Sequence, residues 1–224
     1  MNIRSKVGLC VVVVAAAVPA LGQDEQIRVR SQGWGVISHQ TVGQGNTVLG
    51  LQLGFPGLNL GLLHGLQKNL DVGGRLSVNY AYEGMVRQIH PGLKVDLLGR
   101  LKLLEGQRLG LGLNFGLGYT VTFAPAGRTV QGISLPLGFV AGFAIGSALT
   151  ASFSVDMPLF VTFGTDGGLT VPILGGVGLE YFIDKSLLLN FGTKMGPALN
   201  PTGLFINRSA EFAFQVYLGV ALKL

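Results

Sequence analysis

The sequence predicts an all-β chain: a transmembrane, antiparallel, up-and-down β-barrel of about ten strands, with eight or twelve as alternatives. Three observations carry this. The first is the segment Leu109 to Phe123, LGLGLNFGLGYTVTF, in which Leu, Phe, Tyr and Val hold every odd position and Gly, Asn and Thr every even one. Period-two alternation marks a strand with two unlike faces. Its length exceeds the roughly 5–6 residues of an ordinary strand and satisfies the roughly 9–11 of a tilted membrane-crossing one. The second is the chemistry of the even face. A water-facing strand would place Lys, Glu or Asp there, whereas small residues suit the crowded inside of a narrow barrel and leave the large apolar face for lipid. The third is composition. The chain has 36 Gly and only 12% charged residues, with a mean hydropathy of +0.51. Yet beyond the N-terminal segment it lacks the uninterrupted apolar run of about 18 residues that a membrane helix needs.

Residues 1–22 read as a secretory signal. Arg4 and Lys6 open it, Val7 to Val18 form its apolar core, and Ala20-Leu21-Gly22 is a small-x-small cleavage site. Cys10, the only cysteine, lies inside it, so a processed chain has no thiol, disulfide or Cys metal site. Losing Arg4 and Lys6 lowers the formal charge of +5 to +3. With no basic run, nucleic acid is not expected as a partner. Residues 23–45 are polar and Gly-rich. They read as a periplasmic N-terminal arm, which either docks Trp34 at the membrane edge or plugs the lumen. The barrel is expected over 46–224.

The first strand runs from about Thr47 to Phe55. Apolar parity flips at Pro56-Gly57, which is a turn or a bulge. The turn reading makes Leu58 to Leu66 the second strand. The third is Val72 to Tyr82, with Arg75 inward. The fourth is Leu93 to Leu104, with Lys94, Asp96, Arg100 and Lys102 inward. The fifth is the opening segment. The sixth, Ile133 to Ile145, contains Pro136, which suits a bulge or strand end. The seventh is Leu149 to Phe160 with Asp156 inward, followed by a hairpin turn at Thr165 to Gly168 that accounts for Asp166 better than calcium would. The eighth is Leu169 to Tyr181 with Glu180 inward, and the ninth Leu187 to Met195 with Lys194 inward. The last, Ala210 to Leu224, has Glu211 inward and no charge on its apolar face. Turns at 67–71, 105–108, 146–148 and 183–186 are short, and those at 83–91, 124–131 and 196–207 are longer. Short periplasmic turns and longer outer loops are the pattern of an outer-membrane barrel. Tyr80, Tyr82, Tyr119, Phe123, Tyr181 and Phe182 fall near strand ends, as interfacial girdles do.

In this architecture the chain resembles bacterial outer-membrane β-barrel proteins. The stretches GLQKNLDVG (Gly65 to Gly73) and EYFIDKSLLLNFG (Glu180 to Gly192) look like periplasmic hairpins of small barrels. The closing YLGVALKL is similar to the C-terminal signal read by the barrel-assembly machinery, with Gly219, Leu222 and Leu224 at its glycine and two hydrophobic positions. The family usually closes on an aromatic residue, and this chain closes on Leu224. The resemblance implies a bacterial outer-membrane location, with membrane lipid and the assembly machinery as partners.

The candidate lumen lining is Arg75, Lys94, Asp96, Arg100, Lys102, Asp156, Glu180, Lys194 and Glu211. These charges either pair across the lumen and fill it or form a selectivity lining for small solutes. The fourth-strand group is slightly cationic and predicts weak anion preference in an open lumen. An enzyme that modifies lipid is an alternative, and so is a soluble secreted β-barrel binder. Acyl chemistry needs a Ser nucleophile, a His base and an orienting acid together. The three histidines are His39, His64 and His90, and no Gly-x-Ser-x-Gly or His-Glu-x-x-His occurs. The expectation is therefore a narrow passive channel or a structural membrane component, with no catalytic residue, metal or cofactor.

Overall fold

The computed structural model describes residues 33–81, 84–85, 89–106, 109–123, 129–163, 167–199 and 210–224. The signal-like segment 1–22 with Cys10, arm residues 23–32, Tyr82 and Asp166 lie outside the described residues. Among the described residues, arm residues 33–46 lead into thirteen strands: β1 (Thr47–Phe55), β2 (Gly57–Gln67), β3 (Leu70–Asn79), β4 (Gly92–Glu105), β5 (Leu109–Phe123), β6 (Thr129–Leu135), β7 (Leu137–Ala144), β8 (Leu149–Asp156), β9 (Leu159–Thr162), β10 (Gly168–Pro172), β11 (Leu174–Phe182), β12 (Leu187–Leu199) and β13 (Ala210–Lys223).

Six of these are halves of three interrupted staves. β5 pairs with both β6 and β7, and β12 with both β10 and β11. β8 and β9 bridge the same neighbours, so the ring has ten staves. Proline explains the interruptions, because it cannot donate to a ladder. Pro136 separates β6 from β7, and Met157-Pro158 separates β8 from β9. At Ile173, between β10 and β11, the facing residue is Pro197. Its carbonyl accepts the Ile173 N–H at 2.8 Å, but it has no N–H to return. Sequence reasoning ended the ninth stave at Met195. β12 instead runs through Pro197 to Leu199, because that carbonyl still holds the neighbouring stave.

Pro56 lies in a turn, with Leu53 opposite Leu58 across β1 and β2. β13 pairs with β1 from Val48↔Lys223 to Phe55↔Val216, so the sheet closes and leaves no edge. One end of the ring carries the start of β1, the end of β13 and the turns after β2, β4, β7 and β11. We call it the terminal end. The far end carries the other connections.

The two faces differ as the alternation requires. Leu97, Phe139 and Leu218 lie on the outside at 65%, 58% and 62% exposure, while Asp96, Ser134, Thr170 and Glu180 are wholly buried inside. A soluble barrel would invert this polarity. Only a lipid surround stabilises an apolar belt of this extent around a polar interior.

Candidate functional site: a stoppered lumen

The arm lies within the terminal end of the barrel. Trp34 is 1% exposed and packs edge-on to Phe182 at 5.4 Å between ring centroids, in a cluster with Val42, Val48, Leu188 and Ala221. Its indole N–H donates to the Lys185 carbonyl at 3.1 Å. The chain then crosses the lumen. His39 seats in a slot cut by glycines of β5 and β7: a Cβ at Gly110 would fall 2.0 Å from its ring, and one at Gly142 2.2 Å from Nδ1. The arm returns past Val42 and turns into β1 through Gly43 and Gly45, whose φ angles of 85° and 76° favour glycine.

Three buried wall charges hold the arm. Arg100 donates from Nη1 to the Gly35 carbonyl at 2.8 Å and from Nη2 to the carbonyls of Ser38, at 2.9 Å, and Gln40. Glu180 Oε1 accepts the N–H groups of Val36 and Ile37 at 2.6 and 2.8 Å. Asp71 accepts the Val42 N–H at 2.9 Å through Oδ2, the same oxygen that lies 3.9 Å from Arg100. Gly35 makes this approach feasible, since a Cβ there would sit 2.6 Å from Glu180 Oε2. Charges buried in a narrow lumen are costly unless hydrogen bonds replace their water. Here main-chain groups of the arm do so. Burial holds the His39 imidazole below its ordinary value; Glu105 opposes this, and Lys102 and Arg100 reinforce it.

Above the arm lies a cavity of about 230 Å³ with Val36 and Ile37 in its floor. Two ion-pair groups flank it. Arg75 and Lys94 meet Asp96 at 2.7 and 3.6 Å, with the Ser134 hydroxyl donating to the same carboxylate at 3.3 Å. Lys194 meets Asp156 at 2.8 Å. Glycines again make room: a Cβ at Gly118 would lie 2.1 Å from Asp96 Oδ1, and one at Gly138 2.4 Å from Asp156 Oδ1. Arg100, whose hydrogen bonds go to the arm, also reaches the lining, and the other polar lining residues, Asn59, Asn114, Gln215, Ser152 and Tyr217 among them, are neutral.

The structure thus divides the predicted lining residues. Arg75, Lys94, Asp96, Asp156 and Lys194 surround the cavity region, and Arg100 and Glu180 grip the arm. Lys102 pairs with Glu105 at 2.7 Å near the terminal rim. Glu211 is buried at the far end of β13. The fourth-strand cations therefore do not act as one group. Sequence reasoning missed Asp71, assigning it to a turn, although its parity with Arg75 and Ser77 was legible. Phe182, taken for a girdle residue, is 3% exposed and forms a wall of the Trp34 pocket. Tyr80, Tyr119, Phe123 and Tyr181 do lie on the outer face. Gly219 faces inward beneath the Gln52–Asn190 hydrogen bond of 3.0 Å, while Leu222 and Leu224 point outward. His64 pairs with Thr47 at 2.9 Å, far along the chain from His39 in its slot.

No protein-family model matches the chain, and no curated protein matches it. Among solved structures it is similar to an outer membrane channel from Pseudomonas putida F1, at 9% identity and a TM-score of 0.50, over 85% of this chain and 100% of that one. It also overlaps a bacterial polysaccharide outer membrane secretin (10% identity, 81% of this chain and 77% of that one, TM-score 0.40) and the NanC porin (12%, 80% and 99%, 0.37), both too loosely to bear on the fold. What the chain shares with the Pseudomonas channel is architecture: it is a closed, antiparallel, up-and-down β-barrel of the outer-membrane type.

Proposed function

We propose that this protein is a narrow passive outer-membrane channel for small polar solutes, closed at the terminal end by its own arm. The observation that carries the reading is the arm inside the lumen, beneath a polar cavity of about 230 Å³. A purely structural barrel has no use for a floor made from a segment joined to the wall at only one of its described ends. Nor does it need a cavity lined by carboxamides and hydroxyls. Arg75 and Lys94 share the one carboxylate of Asp96 and Arg100 spends its hydrogen bonds on arm carbonyls, so the lining carries a small positive excess and suits polar solutes with at most weak anion preference. Residues 1–22 act as the export signal, the terminal end faces the periplasm, and Gly219, Leu222 and Leu224 serve the assembly machinery. The likeness to an outer membrane channel supports the fold on which all of this stands.

Planar-bilayer recording tests the proposal. The full-length barrel is expected to show low, intermittent conductance. Trp34→Ala, which empties the arm's anchoring pocket, is expected to show steady and larger conductance. Silence from both would leave the structural-component reading in its place.

A further inference from the structure

We infer that the terminal-end mouth is a peptide-binding site that reads a bent main chain, and that the arm, which bends over residues 36–39, is its resident ligand, exchangeable for a separate peptide. This rests on the reading of the arm as a removable stopper but not on any conductance. Every arm group that Arg100, Glu180 and Asp71 are seen to bond is a main-chain carbonyl or N–H. The guanidinium gathers three carbonyls, and the two carboxylates take three N–H groups. These six groups are common to any sequence. The arm side chain between its two anchors that could have added specificity, Ser38, has a buried hydroxyl with no hydrogen-bond partner.

Selectivity comes chiefly from two shaped positions, with Gly35 required beside Glu180, Val42 buried in the Trp34 cluster and the Thr41 hydroxyl donating to the Lys68 carbonyl at 2.9 Å. One is the apolar pocket filled by Trp34. The other is the glycine slot filled by His39, five residues on, where Gly110, Gly112 and Gly142 admit a flat ring. The site therefore takes a bent peptide carrying a large aromatic residue, a glycine directly after it and, five positions after the aromatic, a flat side chain, entering from the terminal end. Main-chain recognition of this kind gives affinity, and the pockets give choice. Charged hydrogen-bonding groups in a desolvated mouth also give directionality: the carbonyls at Gly35, Ser38 and Gln40 must face Arg100 while the N–H groups at Val36 and Ile37 face Glu180. A reversed peptide cannot satisfy both.

The test uses the full chain carrying Trp34→Ala, whose own arm is loosened, in detergent micelles. The probe is a synthetic peptide of residues 33–46, GWGVISHQTVGQGN. Because the chain has a single Trp, this variant has none, and with excitation on the red edge, where tyrosine does not absorb, the peptide indole is the only emitting group. Its emission is expected to shift to the blue and saturate. A second peptide, N-methylated at Val36 and Ile37, loses both N–H groups that Glu180 accepts while keeping every side chain. It is expected to bind roughly tenfold or more weakly. Equal binding of the two peptides overturns main-chain reading. Absence of binding by the first, with the arm of the variant open to protease, overturns the site. Should Trp34→Ala fail to fold, Gly35→Val loosens the arm through its clash with Glu180, and a dye-labelled peptide followed by anisotropy gives the same two readouts. A silent bilayer overturns the channel and leaves these titrations unchanged.

Discussion

Glu180 holds two successive arm amides with one carboxylate oxygen and is itself fully buried, so its charge and shape both matter to docking. Glu180→Gln keeps an acceptor but loses the charge, and is expected to weaken docking by about 1–2 kcal/mol. The single Trp of the chain reports this directly, as a red shift in Trp34 emission together with faster proteolysis of the arm. Gly110→Ala tests the opposite wall. Its new Cβ would meet the His39 ring at 2.0 Å, so the arm is expected to leave while the barrel wall stays closed, giving red-shifted emission with unchanged heat-modifiable mobility. His39 adds a pH dependence. The docked imidazole titrates below its ordinary 6.5, chiefly through burial. The undocked form therefore takes up a proton first as pH falls. The His39 contribution to docking is therefore full above its ordinary value and is lost progressively as pH falls below it. Trp34 emission followed from pH 8 to pH 5 should redden, and His39→Gln should flatten the curve. At this scale parity made most lumenal charges legible. Asp71 escaped because the turn chemistry of Asn69-Leu70-Asp71 masked the parity it shares with Arg75 and Ser77; its pairing opposite Arg100 of β4 makes it a wall residue.

At the scale of the element, β4 and β5 carry the solvent assignment most clearly. Leu97 faces Leu117 across the pair midway along β4, and Leu93 faces Val121 near the far end. If the outer face meets acyl chains, Leu97→Lys costs about 2–4 kcal/mol and Leu93→Lys about 0–1, following depth in the bilayer. Urea titration of the protein in lipid vesicles checks this, and equal costs would reject a membrane belt. Phe115 adds a local detail: its ring covers Gly99 on the same pair, where a Cβ would lie 2.4 Å from the ring. The ten staves were legible because each alternates over a length that a turn then ends. Their internal breaks were less so. Pro136 announced one, but the break at Ile173 depends on Pro197, a residue from another stave that becomes its neighbour only when the sheet forms.

At the scale of the whole molecule, the sequence left the arm between two roles, membrane edge or lumen. The reason is distance along the chain. Val36 and Glu180 are 144 residues apart, and Gly35 and Arg100 are 65 apart. No local pattern records such contacts. Trp34 looked like an interfacial anchor because a tryptophan in a polar, glycine-rich stretch usually is one; its pocket is assembled from β1, β11, β12 and β13 together. The fold-level expectation is simple to check. The folded chain should partition into detergent and run faster on unheated gels than after boiling, and a water-soluble, non-shifting species would reject the barrel in membranes.

The seam between β1 and β13 has a temporal consequence. The first and last staves to leave the ribosome must find each other, from Val48 and Lys223 to Phe55 and Val216, before any part of the wall is complete. Until then each partial sheet offers two raw borders and a greasy flank to whatever is nearby. A second unfinished copy is the nearest match for such a border, so the yield of closed ring is expected to fall as refolding is tried at higher concentration.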